Sequence, residues 1–354
     1  MNFGIRENAA LEQIFHRLAA IAPDATRRAK KTLDLCLHGI RHSSWPDVAW
    51  LSGLTPDGFP VEFAFSFLGG TTVRYATELA GPETLDCDKT RLAFRLYERL
   101  TGQTVCSEME AAIFKMQSAG PLVYGAWFGG AHGPNGDRYK IYAEVPRDGG
   151  FAALAGGLFP EKELPLAHCR SLPIMFAFQP ESKVCEAYFQ AGNVEPADLG
   201  RLLWQWGISH RYREAMELIE DTWGRRGIPA ASVFGFSLAY TSRQEPAVVS
   251  LFGRSRVLFG SDANIRRTLL KLGERKGWDM SMYESASAPL QSRDEFPAHN
   301  GVLSWIIPSQ GPLEVRIGMR PPDAELSSSP ATSPSNKLQE RSEDPQATDG
   351  QLGQ

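Results

Sequence analysis

The segment that decides the fold reads Leu54-Thr-Pro-Asp-Gly-Phe-Pro-Val-Glu62-Phe-Ala-Phe-Ser66, followed by Thr72-Val-Arg74-Tyr-Ala-Thr-Glu78. A similar pattern returns in Asp137-Arg-Tyr-Lys140-Ile-Tyr142-Ala-Glu-Val-Pro146. Polar and apolar residues alternate in these segments, and a β-strand points successive side chains to opposite faces. One face of the last segment carries Arg138, Lys140, Tyr142 and Glu144. The sequence therefore predicts strands with a wet, charged face, of the kind that lines a polyanion-binding lumen.

The length and charge of the chain limit the classes of protein to which it can belong. The 354 residues suffice for one large domain or two ordinary ones, and 42% hydrophobic residues indicate a globular protein. The net charge is −4 and the sequence pI is about 6.0, whereas domains that bind nucleic acid nonspecifically are basic. The sequence therefore disfavours a nucleic-acid partner, and any cationic site has to be local.

The cysteines and the hydropathy pattern indicate the compartment. Five cysteines are scattered without a CxxC pair, which is typical of free thiols in a reducing cytosol. The first residues lack the basic-then-apolar pattern of a signal peptide, and no apolar run approaches about 18 residues. We therefore expect a soluble, cytoplasmic protein with no membrane partner.

The composition changes near the C-terminus. Residues 322–354 are rich in Ser, Pro, Gln, Asp and Glu and have almost no aliphatic side chains, so they are predicted to be disordered. Residues 1–321 are predicted to form a single folded domain. One helix within it is predicted over Asp262–Lys276, because Ser261 and Gly277 provide N-cap and C-cap signals.

Strand-like segments occur in pairs that are separated by turn residues, with helical segments between the pairs. The predicted pairs are Val61–Phe67 with Thr72–Leu79, Val123–Phe128 with Arg138–Val145, Pro173–Phe178 with Val184–Gln190, Val233–Tyr240 with Ala247–Phe252, and Val302–Pro308 with Leu313–Met319. Closing ten antiparallel strands into a barrel removes both sheet edges and leaves the helices outside. The predicted fold class is therefore α+β, a ten-stranded antiparallel barrel of five hairpins ringed by helices.

The usual strong motifs are missing from the sequence. It contains no GxxxxGK[ST] phosphate loop, HExxH, GxSxG or aspartate-rich magnesium motif, so no metal site is predicted. The glycine-rich run from Gly129 to Gly133 is interpreted as a hairpin turn.

Basic residues recur in or after the hairpins, and converging Arg and Lys side chains can bind a diphosphate without a metal. The candidate diphosphate ligands are Arg74, Lys140, Lys183, Arg254 and Arg316. Tyrosines such as Tyr142 and Tyr188 lie between them, and an aromatic face stabilises a nearby cation. Each of these residues could alternatively be an ordinary solvated cation or a packed wall residue.

Glu62 is the most informative carboxylate. It lies among apolar residues, and its neighbours on the same strand face, Ala64 and Ser66, are small. A carboxylate that faces an enclosed lumen can act as a general base or stabilise positive charge. The alternative is an ordinary surface glutamate near a strand end.

These segments resemble the dimethylallyltryptophan synthase family of aromatic prenyltransferases, whose fold is called the ABBA or PT barrel. Leu54–Phe65 and Val73–Glu78 are similar to the family's early motif, and Lys140-Ile-Tyr142, closed by Pro146, is similar to a later strand. The resemblance implies transfer of a prenyl group from an allylic diphosphate to an electron-rich aromatic ring. It also implies that the cationic side chains replace Mg²⁺ and that no cofactor is needed beyond the co-substrate, dimethylallyl diphosphate.

The resemblance also implies roles for individual residues. Glu62 matches the catalytic glutamate, and Arg74 and Lys140 match diphosphate ligands. The expected cation shield and substrate pocket consist of Tyr142, Tyr188, Phe252 and Trp305.

The later hairpins depart from the family pattern. Glu186 stands where the family has a lysine, and Gly318 stands where it has a tyrosine. We expect Lys183, Arg254 or Arg316 to compensate for the missing lysine, and Gly318 to leave room for an acceptor bulkier than tryptophan.

The most favoured function is thus metal-independent prenyl transfer to an indole or an indole-derived or tricyclic acceptor in secondary metabolism. The alternatives are a peptide prenyltransferase and a non-catalytic barrel that binds an aromatic or anionic small molecule. The expected partners are a small-molecule acceptor and an allylic diphosphate, and the protein is expected to be a monomer or a homodimer.

Overall fold

The computed structural model describes residues 3–41, 52–81, 83–155, 158–159, 171–229, 232–241, 246–294 and 298–323. Most of the tail predicted to be disordered, residues 324–354, and Cys169 lie outside the described residues. The last described residue, Asp323, accepts hydrogen bonds from Arg320 at 2.9 and 3.1 Å. The described helices include none that is long and apolar enough to cross a membrane.

Ten antiparallel strands form one closed barrel. The strands are β1 (Val61–Ser66), β2 (Val73–Thr77), β3 (Ala126–Gly133), β4 (Gly136–Glu144), β5 (Leu172–Gln179), β6 (Val184–Gln190), β7 (Val233–Tyr240), β8 (Pro246–Arg254), β9 (Asn300–Pro308) and β10 (Glu314–Met319). Each strand pairs with its neighbours in sequence, and β1 pairs with β10 to close the ring. The predicted barrel of five hairpins is confirmed.

Helices surround the barrel. The described helices are α1 (Phe3–Ala19), α2 (Pro23–Cys36), α3 (His38–Arg41), α4 (Asp86–Thr101), α5 (Ser107–Gln117), α6 (Gly150–Ala155), α7 (Pro196–Gln205), α8 (Tyr212–Trp223), α9 (Ser255–Phe259), α10 (Asp262–Lys276) and α11 (Ser281–Ala286). Short 3₁₀ turns occur at Ser209–Arg211 and Ala288–Leu290. The predicted caps of α10 are confirmed, because the Ser261 hydroxyl accepts from the Asn264 amide and Gly277 is left-handed.

The hydrophobic core lies between the strands and the helices. On β1, Val61, Phe63 and Phe65 are buried, while the alternate residues are partly exposed. The Phe63 ring meets Phe15 of α1 edge-on at 5.6 Å, and the Phe65 ring lies 5.8 Å from Tyr283 of α11. The apolar face of each strand therefore points outward to the helices, and the polar face points into the lumen.

The antiparallel order separates the two ends of the barrel. The described connections within hairpins, such as Pro180–Lys183 between β5 and β6, lie at one end, here called the hairpin end. The strand ends from which the helical connections leave lie at the other end, here called the helix end. Residues early on β1 and late on β8 therefore lie near the helix end.

The glycine-rich part of β3 differs from the hairpin turn that was expected from the sequence. The run from Gly129 to Gly133 is not a turn but the second half of a strand, and it pairs with both β2 and β4. The missing side chains make room for aromatic rings, because a Cβ at Gly129 would lie 2.9 Å from the Tyr142 ring and one at Gly130 would lie 2.6 Å from Tyr75. The glycines thus allow close packing of rings on a strand, which their composition alone did not indicate.

Asp262 joins α10 to the first residues of β9. Its fully buried carboxylate accepts hydrogen bonds from the backbone amides of His299 and Asn300 at 2.8 and 3.0 Å, and from the Asn300 side chain at 2.7 Å. Burial alone would raise the pKa of Asp262, but the bonds from His299 and Asn300 outweigh it and hold the pKa below its ordinary value. Because the folded-state pKa is lowered, this contribution to stability is present at neutral pH and is lost as pH falls through that pKa.

We expect Asp262→Asn to lower the free energy of unfolding by about 3 kcal/mol at pH 7, because it leaves buried donors facing an amide group. Urea unfolding monitored by circular dichroism measures the change. The exposed Asp148→Asn serves as the matched control and is expected to shift the midpoint little. Equal stability of the two variants would contradict a structural role for Asp262.

Candidate active site in the barrel lumen

The inner face of the barrel brings together most of the residues selected from the sequence. On β4, Lys140 and Tyr142 are partly exposed to the lumen, whereas Tyr139 and Ile141 are buried on the outer face. Contacts between strands that are not neighbours, such as β4 with β6 and β6 with β8, also form on this inner face. The lumen therefore has the mixed charged and aromatic lining that the alternation predicted.

A group of cations occupies one part of the lumen. Arg74 of β2 lies near Arg316 of β10 and Arg138 of β4, and burial together with these like charges lowers the pKa of Arg74 to about 10. Arg74 still carries its charge at neutral pH. Among the described residues it has no hydrogen-bonded ion-pair partner, so its guanidinium can accept an anion.

Arg316 differs from Arg74 because it has a partner in the lumen. Its Nε and Nη2 atoms donate to the Glu314 carboxylate at 3.1 and 2.9 Å. The carboxylate therefore orients the guanidinium and neutralises part of its charge. Glu314 was not selected from the sequence, and its position two residues before Arg316 on the same strand face was the available signal.

Lys140 is paired as well. Its ammonium group makes an ion pair with Glu186 of β6 and donates to the Tyr188 hydroxyl at 3.0 Å. Burial alone would lower the pKa of Lys140, but the attraction of Glu186 outweighs it and raises the pKa. Glu186 also accepts a hydrogen bond from Ser237 of β7.

Aromatic rings form the wall beside Lys140. Its ammonium lies over the Tyr142 ring at 5.2 Å and over the Tyr188 ring at 5.4 Å. Tyr188 stacks on Phe252 of β8 at 5.6 Å, and Phe252 lies 6.2 Å from Phe234 of β7. Negative ring faces surround a space in which a cation is stabilised. Phe234 was missed from the sequence, because a phenylalanine on a strand is equally typical of a core residue.

Glu62 lies near the helix end of the lumen. Its carboxylate has no hydrogen-bond or ion-pair partner among the described residues, and burial raises its pKa to about 8. A Cβ at Gly301 of β9 would lie 2.7 Å from the Glu62 Oε1 atom, and one at Gly318 of β10 would overlap the carboxyl group. Neither glycine has a positive φ, so what they supply here is space. The space at Gly318, expected to enlarge the acceptor pocket, is therefore filled by Glu62.

Trp305 does not line the lumen, contrary to the pocket expected from the sequence. It is fully buried on the outer face of β9, paired with Leu251 and Val315, which are also fully buried. The partly exposed residues Ser304 and Ile306 occupy the inner face instead. Because side chains alternate, a tryptophan one position away from Ser304 cannot line the same lumen.

Lys183 and Arg254 lie at opposite ends of the barrel. Lys183 is exposed in the β5–β6 turn at the hairpin end, with a φ of 52°. Arg254 is exposed at the last position of β8, at the helix end, with its guanidinium 5.4 Å from the Phe234 ring. The two side chains cannot serve the same small anion together, and both are exposed, whereas Arg74 and Arg316 are partly buried on the inner face.

The described residues contain no cluster of three or more His, Cys, Asp or Glu side chains that could hold a metal ion. No protein-family model matches the sequence, and a search of curated proteins finds no match. Solved structures do match. A 6-dimethylallyltryptophan synthase from Micromonospora olivasterospora, in complex with DMASPP and Trp, is 17% identical with a TM-score of 0.71, covering 90% of this chain and 97% of that one.

Two further structures show the same likeness. A 5-dimethylallyltryptophan synthase from Streptomyces coelicolor is 14% identical with a TM-score of 0.69, covering 93% of this chain and 99% of that one. AnaPT from Neosartorya fischeri is 13% identical with a TM-score of 0.65, covering 88% and 94%. At such low identity the similarity is one of fold, and the chain has the ABBA barrel fold of these enzymes.

We expect Gly318→Ala to displace the Glu62 carboxyl group towards the solvent-accessible lumen. The pKa of Glu62 should then fall from about 8 towards the ordinary value of 4.5, because less of the group is desolvated. Carbon-13 NMR of labelled glutamate, assigned with Glu62→Gln, measures the titration. Gly192→Ala is the matched control, because no atom lies within 4 Å of its added methyl group. An unchanged Glu62 titration in Gly318→Ala would contradict the packing described.

Proposed function

We propose that the protein transfers a prenyl group from an allylic diphosphate to an electron-rich aromatic acceptor within this lumen. The observation that carries the proposal is the juxtaposition on one inner face of the Arg74 cation, aromatic rings and the Glu62 carboxylate, which has no partner among the described residues. The fold of solved dimethylallyltryptophan synthases supports the same reaction. Dimethylallyl diphosphate is the proposed donor, and an indole or an indole-derived or tricyclic compound is the proposed acceptor.

The donor end of the site lies at Arg74 and its neighbours. Their positive charge stabilises the diphosphate as the allylic carbon–oxygen bond breaks and the electron pair leaves with the diphosphate oxygen. Tyr142, Tyr188 and Phe252 face the allylic cation that remains. Their rings stabilise its charge and keep water from capturing it as the alcohol.

The acceptor end lies at Glu62. A ring carbon or nitrogen of the acceptor attacks the allylic carbon to form the new bond, and the acceptor then loses a proton. An ionised Glu62 orients the acceptor by accepting a hydrogen bond from it and assists this proton loss. Because burial raises its pKa to about 8, Glu62 is a stronger base than an ordinary carboxylate.

We also propose that transfer needs no metal ion. Arg74 remains charged at neutral pH although its pKa is lowered, and Arg316 and Arg138 lie near it. Fixed guanidinium groups can perform the neutralisation that Mg²⁺ otherwise provides for a diphosphate.

The proposed transfer is tested by mass spectrometry of products formed in EDTA from dimethylallyl diphosphate and a panel of indoles, carbazoles, phenazines and phenols. We expect a mass gain of one prenyl unit, reduced by about 100-fold or more in Glu62→Gln. A folded protein that transfers neither dimethylallyl nor geranyl groups to any acceptor would favour a peptide acceptor or a binding role instead.

Transfer should also depend on pH through Glu62. If the ionised form is the active one and its pKa is about 8, kcat/KM rises between pH 6 and 8 and levels off above pH 8. Glu62→Gln should lack this rise. A wild-type profile that is flat from pH 6 to 9 would show that Glu62 titrates outside this pH range or takes no part in the transfer.

The candidate cations divide into partly buried ones on the inner face and exposed ones at the barrel ends. We expect substitutions in the two groups to have different effects. We expect Arg74→Gln to raise the KM for the donor by at least about tenfold, because it removes a half-buried charge that faces the diphosphate. Lys183→Gln and Arg254→Gln remove exposed charges at the two barrel ends and should change the KM by less than about threefold. Steady-state kinetics measures all three, and equal effects would contradict the proposed donor position.

A further inference from the structure

Glu186 introduces a negative charge where the lumen would bind an anion. The carboxylate makes an ion pair with Lys140 and accepts hydrogen bonds from the hydroxyls of Ser237 and Tyr188. Burial alone would raise the pKa of Glu186, but Lys140, Ser237 and Tyr188 outweigh it and keep the pKa low. Glu186 is therefore ionised at neutral pH, and Lys140 is already neutralised in the structure described.

The pair joins two strands that are not neighbours and lies on the inner face of the barrel. Lys140 belongs to β4 and Glu186 to β6, so their side chains meet over β5, where Ala177 pairs with Glu186 on one side and with Tyr142 on the other. Side chains of only 15% and 14% exposure hold these charges, so little water screens them. An arriving diphosphate can gain Lys140 only if the ammonium group exchanges Glu186 for a phosphate oxygen.

We propose that Glu186 sets the donor affinity of this lumen by competing with the diphosphate for Lys140. The inference rests on the proposed function and adds a specificity-determining residue to it. Without a donor, the Lys140–Glu186 pair is neutral and adds no net positive charge to the lumen. With a donor, Lys140 turns to the diphosphate, and the freed carboxylate remains beside Ser237 and the Tyr188 hydroxyl. The Glu186 carboxylate then places a negative charge near the allylic carbon as that carbon becomes positive.

The exchange has a measurable consequence for anion binding. Replacing Glu186 by Gln keeps the size of the side chain and its hydrogen bond with Ser237, but it frees Lys140 and removes a repulsive charge. Desolvated charges a few ångströms apart interact strongly enough to change binding by a factor of ten or more. The inference therefore predicts a variant that binds the leaving group more tightly than the wild-type protein does.

The experiment is isothermal titration calorimetry of the full chain with inorganic pyrophosphate, which requires no prenyl transfer. We expect Glu186→Gln to bind pyrophosphate at least about tenfold more tightly than wild type, and Lys140→Met to cancel that gain in the double variant. Glu98→Gln is the matched control, because it removes an exposed carboxylate from α4 and leaves the Lys140 pair intact. Its effect should stay below about threefold.

Equal or weaker pyrophosphate binding by Glu186→Gln would overturn the inference while leaving the proposed reaction possible. A gain that persists without Lys140 would overturn the exchange, since general charge removal would explain it. If neither wild type nor any variant binds pyrophosphate, the donor site itself is misplaced and the proposed function fails with it. Glu186→Ala, which also removes the charge, provides the same comparison should Glu186→Gln not fold.

Discussion

The pairing of β1 with β10 is the constraint on which the rest of the structure depends. It closes ten strands into a ring without an edge, so every strand must present one face to the helices and the other to the lumen. The outer face is satisfied by apolar packing, as between Phe63 and Phe15. The inner face is then free to carry polar groups at positions that the backbone fixes. Closure thus supplies the preorganisation that an electrostatic catalyst needs.

Two carboxylates in the same lumen have pKa values shifted in opposite directions. Glu62 lies against the glycine backbone of two strands without a partner, so burial raises its pKa. Glu186 lies against Lys140 and Ser237, so its pKa falls despite burial. One group is therefore a base that can exchange a proton near neutral pH, and the other is a fixed negative charge. This division of roles comes from neighbours within a few ångströms, not from the residue type.

Much of the fold could be predicted from the sequence, because alternation along Arg138–Val145 and the spacing of hairpins are local signals. The inner positions of Glu62, Arg74, Lys140, Tyr142, Tyr188, Phe252 and Arg316 follow from the same alternation. Trp305 was wrongly placed because its face depends on register, and one residue decides it. The glycines of β3 were misinterpreted because their partners, such as Tyr75, come from other strands. The pairing of Glu186 with Lys140, 46 residues away, is a three-dimensional contact that no local pattern shows.

The central claim is that donor and acceptor meet inside the barrel, with the diphosphate at the cations and the acceptor at Glu62. A crystal structure of the protein with an unreactive thiolodiphosphate analogue of dimethylallyl diphosphate and an accepted aromatic substrate tests it most directly. The account predicts diphosphate oxygens in contact with Arg74 and Lys140, the allylic carbon between the rings of Tyr142, Tyr188 and Phe252, and the acceptor within hydrogen-bond distance of Glu62. An analogue bound outside the lumen, or a diphosphate held at Lys183 or Arg254 instead, would contradict it.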